Sequence, residues 1–78
     1  MSYRGSIRLY ECVRLARQEM RAGRPWVSVG LLAMGFLESA TLARGGDTVA
    51  AHHAAHYRSL LAAYLEEARI CERELRRL

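Results

Sequence analysis

The sequence predicts an all-α fold, an up-down-up bundle of three helices in which the C-terminal helix is long and heptad-patterned. Apolar residues recur at steps of three and four near both ends of the chain, as on a helix face. Between them, residues 26–43 carry a single charge. Helix-breaking residues cluster at only two places, 23–25 and 45–47. With 78 residues forming one domain, 1–78, we expect helices over about 6–22, 25–43 and 48–77.

The first predicted helix begins at Ser6, a residue type that caps helix N-termini. It ends at Gly23, which can take the left-handed conformation common just beyond a helix. One stripe of this helix is apolar and comprises Leu9, Cys12, Val13, Ala16 and Met20. Arginines line another edge at the same spacing, at Arg14, Arg17, Arg21 and Arg24.

The second predicted helix is apolar all round. Pro25 suits its first turn, and Gly45-Gly46 closes it. A helix without a polar face must be covered on every side, and two short helices of the same chain cannot cover it. A chain this small also gains stability by self-association. We therefore expect a homodimer in which a second copy covers this helix.

Small and charged residues of the second helix lead to two further expectations. Ser28, Gly35 and Ser39 share one side, where a neighbouring helix can approach closely. Glu38 is the one charge in the apolar segment, and we expect an arginine of another helix to pair with it, because buried charges are paired.

The third predicted helix is capped by Asp47 or Thr48 and carries a heptad seam. The seam consists of Ala50, Ala54, Tyr57, Leu61, Tyr64, Ala68, Cys71, Leu75 and Leu78. We expect its last two turns, from Glu72, to project beyond the bundle towards a symmetry mate. The residues expected at the self-association interface are Leu31, Met34, Phe36, Leu37, Tyr57, Leu61, Tyr64 and Leu75.

Composition limits the classes of partner. All 12 basic residues are arginine, which favours a GC-rich bacterial or phage genome, and the net charge is +4. Such a charge permits binding to nucleic acid or to an acidic protein without requiring either. The two cysteines form no metal or redox motif, and we expect buried, reduced thiols in a cytoplasmic protein. The charged N-terminus lacks a signal core, and Glu38 argues against a membrane span.

Catalytic and metal-binding patterns are weak. No glycine-rich phosphate loop and no nucleophile–base set can be assembled, so we do not expect an enzyme or a cofactor. His52 and His56 have the spacing that two imidazoles need to share one metal on a helix, but a third ligand is not evident. We predict no metal and keep metal binding as an alternative.

The sequence thus predicts a small protein-interaction module of the adaptor, chaperone or inhibitor type, acting as a homodimer. Its partner-binding residues would be Arg14, Arg17, Arg21, Arg24 and Trp26, with the tryptophan as an apolar anchor and the arginines giving charge complementarity. The first alternative is a dimer that binds nucleic acid through the arginine ridge.

Overall fold

The computed structural model describes residues 5–77, with the side chains of residues 8–77. This part of the chain contains three α-helices, α1 (Gly5–Arg21), α2 (Pro25–Arg44) and α3 (Thr48–Arg76), and no strand. Each helix begins and ends within one residue of its predicted bounds. The all-α fold class is confirmed.

The turn between α1 and α2 forms as the sequence predicts. Gly23 has φ +83°, and its N–H donates to the carbonyl of Met20 at 3.2 Å, while Arg24 donates to that of Glu19 at 2.9 Å. These bonds occupy the last carbonyls of α1. At the other end of α1 the prediction was wrong by one residue, because the helix already includes Gly5 and Ser6 lies inside it. The side chain of Ser6 lies outside the described part.

The turn between α2 and α3 depends on two neighbouring residues. Gly46 has φ +100°, a conformation that strains any residue with a Cβ. Asp47 follows it and accepts a hydrogen bond from the backbone N–H of Ala50 at 2.9 Å. Of the two predicted caps, Asp47 and Thr48, the aspartate therefore caps α3.

The middle helix, α2, packs against both neighbours, whereas α1 and α3 share few contacts. The Cα trace extends 50 × 18 × 12 Å. Polar contacts between described residues join α1 to α2 and fix their register. Ser28 donates to the carbonyl of Ala16 at 2.6 Å, the Cys12 thiol donates to that of Leu31 at 3.1 Å, and Arg8 pairs with Glu38.

The core forms where small residues of α2 meet larger ones. Ala16, Leu32 and Tyr57 are its buried centre. Ser28 and Ser39 are also buried, and Gly35 lies directly against the ring of Tyr57. The structure thus confirms that Ser28, Gly35 and Ser39 mark the side of α2 to which a neighbouring helix packs closely.

The heptad seam of α3 packs within the chain. Ala50, Tyr57 and Ala68 are buried, but Cys71 and Leu75 are exposed. Leu78 lies outside the described residues. The expectation of two buried thiols was therefore wrong for Cys71, which lies on the exposed surface of α3. Cys12 is half-buried, and burial raises the pKa of its thiol.

Candidate interaction surfaces

The outer face of α2 is an exposed apolar strip. We call it the α2 seam and define it as Val27, Gly30, Met34, Leu37 and Thr41, which follow one another at steps of three and four. All five are exposed, Met34 to 70% and Leu37 to 62% of their full area. The spacing is that of a helix face that packs against another helix. One side of the apolar helix thus has no cover within the described chain.

Residues at the margins of the α2 seam differ in character. Trp26 is 47% exposed, so the tryptophan predicted as an anchor is accessible. Glu38 lies at the other margin and forms an ion pair with Arg8 of α1, as the predicted pairing with an arginine of another helix requires. The charge in the apolar segment is therefore compensated within the chain.

The residues predicted for self-association divide into two groups. Met34 and Leu37 lie on the α2 seam, and Leu75 is exposed on the last turns of α3. The others lie in or against the internal core instead: Leu31, Phe36, Tyr57, Leu61 and Tyr64. Tyr57 corrects the expectation most clearly, because only 2% of it is exposed. A heptad pattern indicates that one face of a helix packs against another helix. For α3 that other helix is α2 of the same chain.

A groove opens where α1 and α3 separate. This α1–α3 groove has a volume of about 660 Å³. Leu9, Tyr10 and Val13 line its apolar end, and His56 contributes from α3. The basic end is lined by Arg14, Arg17, Gln18 and Arg21. A smaller pocket continues it and is lined by Arg17, Met20, Arg21, Tyr64 and Glu67. The α1–α3 groove therefore combines apolar and cationic surfaces along one helix.

Three of the four predicted ridge arginines lie in the α1–α3 groove, but Arg24 does not. Since Gly23 ends the helix, Arg24 lies in the turn, where its Nη2 donates to Glu19 Oε1 at 3.1 Å. The hydrogen bond from Arg24 holds the pKa of the Glu19 carboxyl below its ordinary value. Arg24 was thus wrongly placed on the ridge.

The remaining ridge arginines differ in their partners. Arg14 Nη2 lies 2.7 Å from Glu11 Oε2 and donates a hydrogen bond to it. Arg17 and Arg21 are exposed and form no ion pair among the side chains of residues 8–77. The unneutralised positive charge of α1 therefore lies at the basic end of the α1–α3 groove.

The histidines are not gathered into a metal site. His52 and His56 are both exposed. Within the described residues no group of three His, Cys, Asp or Glu side chains could hold a metal ion. Among the described residues, the fold therefore brings no third ligand to His52 and His56.

One helix in the described part of the chain, α2, is long and apolar enough to cross a membrane. Its most apolar stretch has a mean hydropathy of 1.5, and only 17% of that stretch is buried within the chain. Buried core helices of soluble proteins and signal sequences share this length and composition, so these two properties do not by themselves assign a location to α2.

Sequence reasoning missed residues on both surfaces. Leu9 and Val13, predicted in the apolar stripe of α1, pack against the core and also line the groove, whereas Tyr10, which is 69% exposed, lies outside that stripe. Val27 and Thr41 were not recognised as part of the α2 seam. Residues 27–41 contain apolar positions at steps of three and four that could have indicated this seam. In a helix that is apolar on every side, however, the sequence does not distinguish the covered face from the open one.

Comparison with known proteins gives no family assignment. The chain matches no family model, and neither a curated protein nor a solved structure is significantly similar to it. The function proposed below is therefore argued from the residues and surfaces of this chain.

Proposed function

We propose that the chain is a non-enzymatic protein-interaction module that acts as a helical homodimer, with the α2 seam as the contact between copies. The observation that carries the proposal is the exposure of this seam. Soluble monomers rarely leave a contiguous apolar strip of this kind open to water. A second copy of α2 supplies a matching strip, and a two-fold axis brings each strip onto the other.

The accessible surface supports the same proposal. The chain exposes 5682 Å², whereas a compact folded monomer of 8.8 kDa exposes about 4,800 Å². The excess is about 900 Å², close to the roughly 800 Å² that each partner buries in an interface of standard size. Exposed side chains of the α2 seam, Met34 and Leu37 among them, contribute to this excess.

The proposal includes the up-down-up arrangement of the helices. Positions in contact run down α1, from Ala16 through Cys12 to Arg8, as they run up α2, from Ser28 through Leu31 to Glu38. That order is the signature of antiparallel neighbours. With α1 and α3 both packed on the inner side of α2, its outer side is left for the second copy.

A partner protein would then use the surfaces that dimerisation leaves open. Arg17 and Arg21 face solvent without an acidic partner among the described residues. Because desolvated charge pairs confer specificity, an acidic patch on the partner is the complement these arginines favour. Two reduced thiols and a soluble dimer fit a cytoplasmic location, which is part of the proposal.

The test of the dimer compares two equal charge insertions at exposed apolar positions. Leu37→Glu places a carboxylate in the α2 seam, whereas Val49→Glu places one on the first turn of α3, where Val49 is 49% exposed. We expect sedimentation velocity to show a monomer for Leu37→Glu and a dimer for Val49→Glu, with helical circular dichroism retained in both. Dimers of equal affinity for both variants would overturn the proposal.

A further inference from the structure

We propose that the α1–α3 groove binds an acidic amphipathic helix of a partner protein. The inference rests on the proposed role as a protein-interaction module and names the kind of partner. It assigns a ligand class to a surface that the dimer contact does not use.

The groove is divided along its length. Leu9, Val13, Arg17 and Arg21 follow one another at steps of four, so they form one inclined row that turns about a third of the way round α1. The first two are apolar and the last two are cationic. Over the 12 residue steps from the first to the last, the row is about 18 Å long, or a little over three helical turns. A ligand that fills it must be apolar at one end and acidic at the other.

The walls of the groove favour a helix as the occupant. α1 and α3 share few contacts, and the groove between them is lined mainly by one face of α1, with His56 contributed by α3. A third helix laid into such a space meets apolar residues at helical spacing, which is the helix-in-groove mode of peptide recognition.

The charges favour carboxylates. Arg17 and Arg21 form no ion pair among the described side chains, whereas Arg14 is already bonded to Glu11. Glu67 lines the smaller continuation of the groove together with Arg17 and Arg21, without forming an ion pair with either. Carboxylates spaced three or four residues apart on the partner helix would meet both free guanidinium groups.

Nucleic acid is the competing occupant, and the groove suits it less well. An apolar half offers nothing to a phosphate backbone, and two free arginines supply few phosphate contacts compared with typical nucleic-acid sites. The sequence has no Asn and no Lys, so Gln18 is the one amide side chain in the groove that could read a base edge. The test below includes nucleic acid as an outcome.

The experiment selects helical peptides from a displayed library on the purified full-length chain. The library fixes a helical frame and randomises its surface positions among acidic, basic, polar and apolar residues. We expect enriched peptides to carry carboxylates at steps of three or four in one half and apolar residues in the other. Enrichment of peptides without this pattern, or no enrichment, would overturn the proposal.

Variants then locate the binding site of an enriched peptide. Arg17→Glu and Arg21→Glu should each weaken it by about 10-fold or more, and replacing the peptide's carboxylates with lysine should restore binding to these variants. Arg58→Glu is the matched control, because Arg58 is exposed on α3 and lies outside the groove. Equal losses for all three variants, or no rescue, would count against the groove.

Two further measurements distinguish this proposal from its alternatives. In the first, a 20-nucleotide single strand and a 20-base-pair duplex are titrated into the protein at the salt concentration used for the peptide. If either nucleic acid binds more tightly than the peptide and loses affinity with the same arginine substitutions, the groove is assigned to nucleic acid. The peptide is also titrated into Leu37→Glu. Binding there at wild-type affinity supports the groove whatever the oligomeric state, so failure of the dimer and failure of the groove are distinguishable.

Discussion

Gly35 of α2 lies directly beneath the phenol ring of Tyr57 of α3. A Cβ placed on Gly35 would overlap the ring and would lie 2.8 Å from its hydroxyl oxygen. Tyr57 is 98% buried, so its ring has little room to move aside. The close approach of α2 and α3 therefore depends on the missing side chain at Gly35.

Replacing Gly35 with alanine should destabilise the chain. Overpacking of this kind costs about 1–3 kcal/mol, and the better helix propensity of alanine offsets at most about 1 kcal/mol. The measurement is the free energy of unfolding in urea. Gly30→Ala is the control, because a Cβ there meets nothing within 4 Å, and it should be neutral or stabilising. Equal stability of the two variants would contradict the packing described here.

Asp47→Ala should weaken the N-terminus of α3. The substitution removes the acceptor for the Ala50 N–H, and loss of an N-cap costs about 0.5–2 kcal/mol. Thr48→Ala changes the neighbouring residue without removing the cap, so it should cost clearly less. Urea unfolding of both variants distinguishes them, and a larger loss for Thr48→Ala would mean that the cap has been misassigned.

The ion pair between Glu19 and Arg24 should give a pH-dependent contribution to stability. The hydrogen bond from Arg24 lowers the pKa of Glu19 from its ordinary value of 4.5. A lowered pKa in the folded state means that the contribution is present above the unfolded pKa and is lost as pH falls through the folded pKa. The wild type should therefore be more stable than Arg24→Gln at neutral pH.

That difference should shrink as the pH falls through the lowered pKa of Glu19, because the carboxyl then becomes protonated in both proteins. The measurement is the free energy of unfolding of each protein between neutral and acidic pH. Arg58→Gln serves as a control for the loss of one positive charge, since Arg58 forms no ion pair among the described side chains. If the difference in free energy of unfolding between the wild type and Arg24→Gln is the same at neutral pH and at the lowest pH measured, the pairing of Glu19 with Arg24 is contradicted.

Local signals made most of the fold predictable from the sequence. Gly23, Pro25 and Asp47 act through the backbone of their own turn, so their effects do not depend on the rest of the structure. Helix bounds followed from them to within one residue. The heptad pattern of α3 correctly indicated a packed face.

The sequence could not show which copy of the chain each face packs against. Tyr57 has the same heptad position whether it meets α2 of its own chain or a second chain, and only the fold shows that its partner is internal. Likewise, α2 is apolar on every side, so its covered and open faces cannot be told apart by composition. The α1–α3 groove depends on how far two helices separate, which no residue pattern encodes.

The most direct test of the central claim is the mass of the wild-type protein in solution, measured by light scattering across a dilution series. We expect twice the chain mass of 8.8 kDa at high concentration, with any dissociation on dilution leading to the single chain. A well-folded protein of 8.8 kDa at every concentration would contradict the claim that a second copy covers the α2 seam.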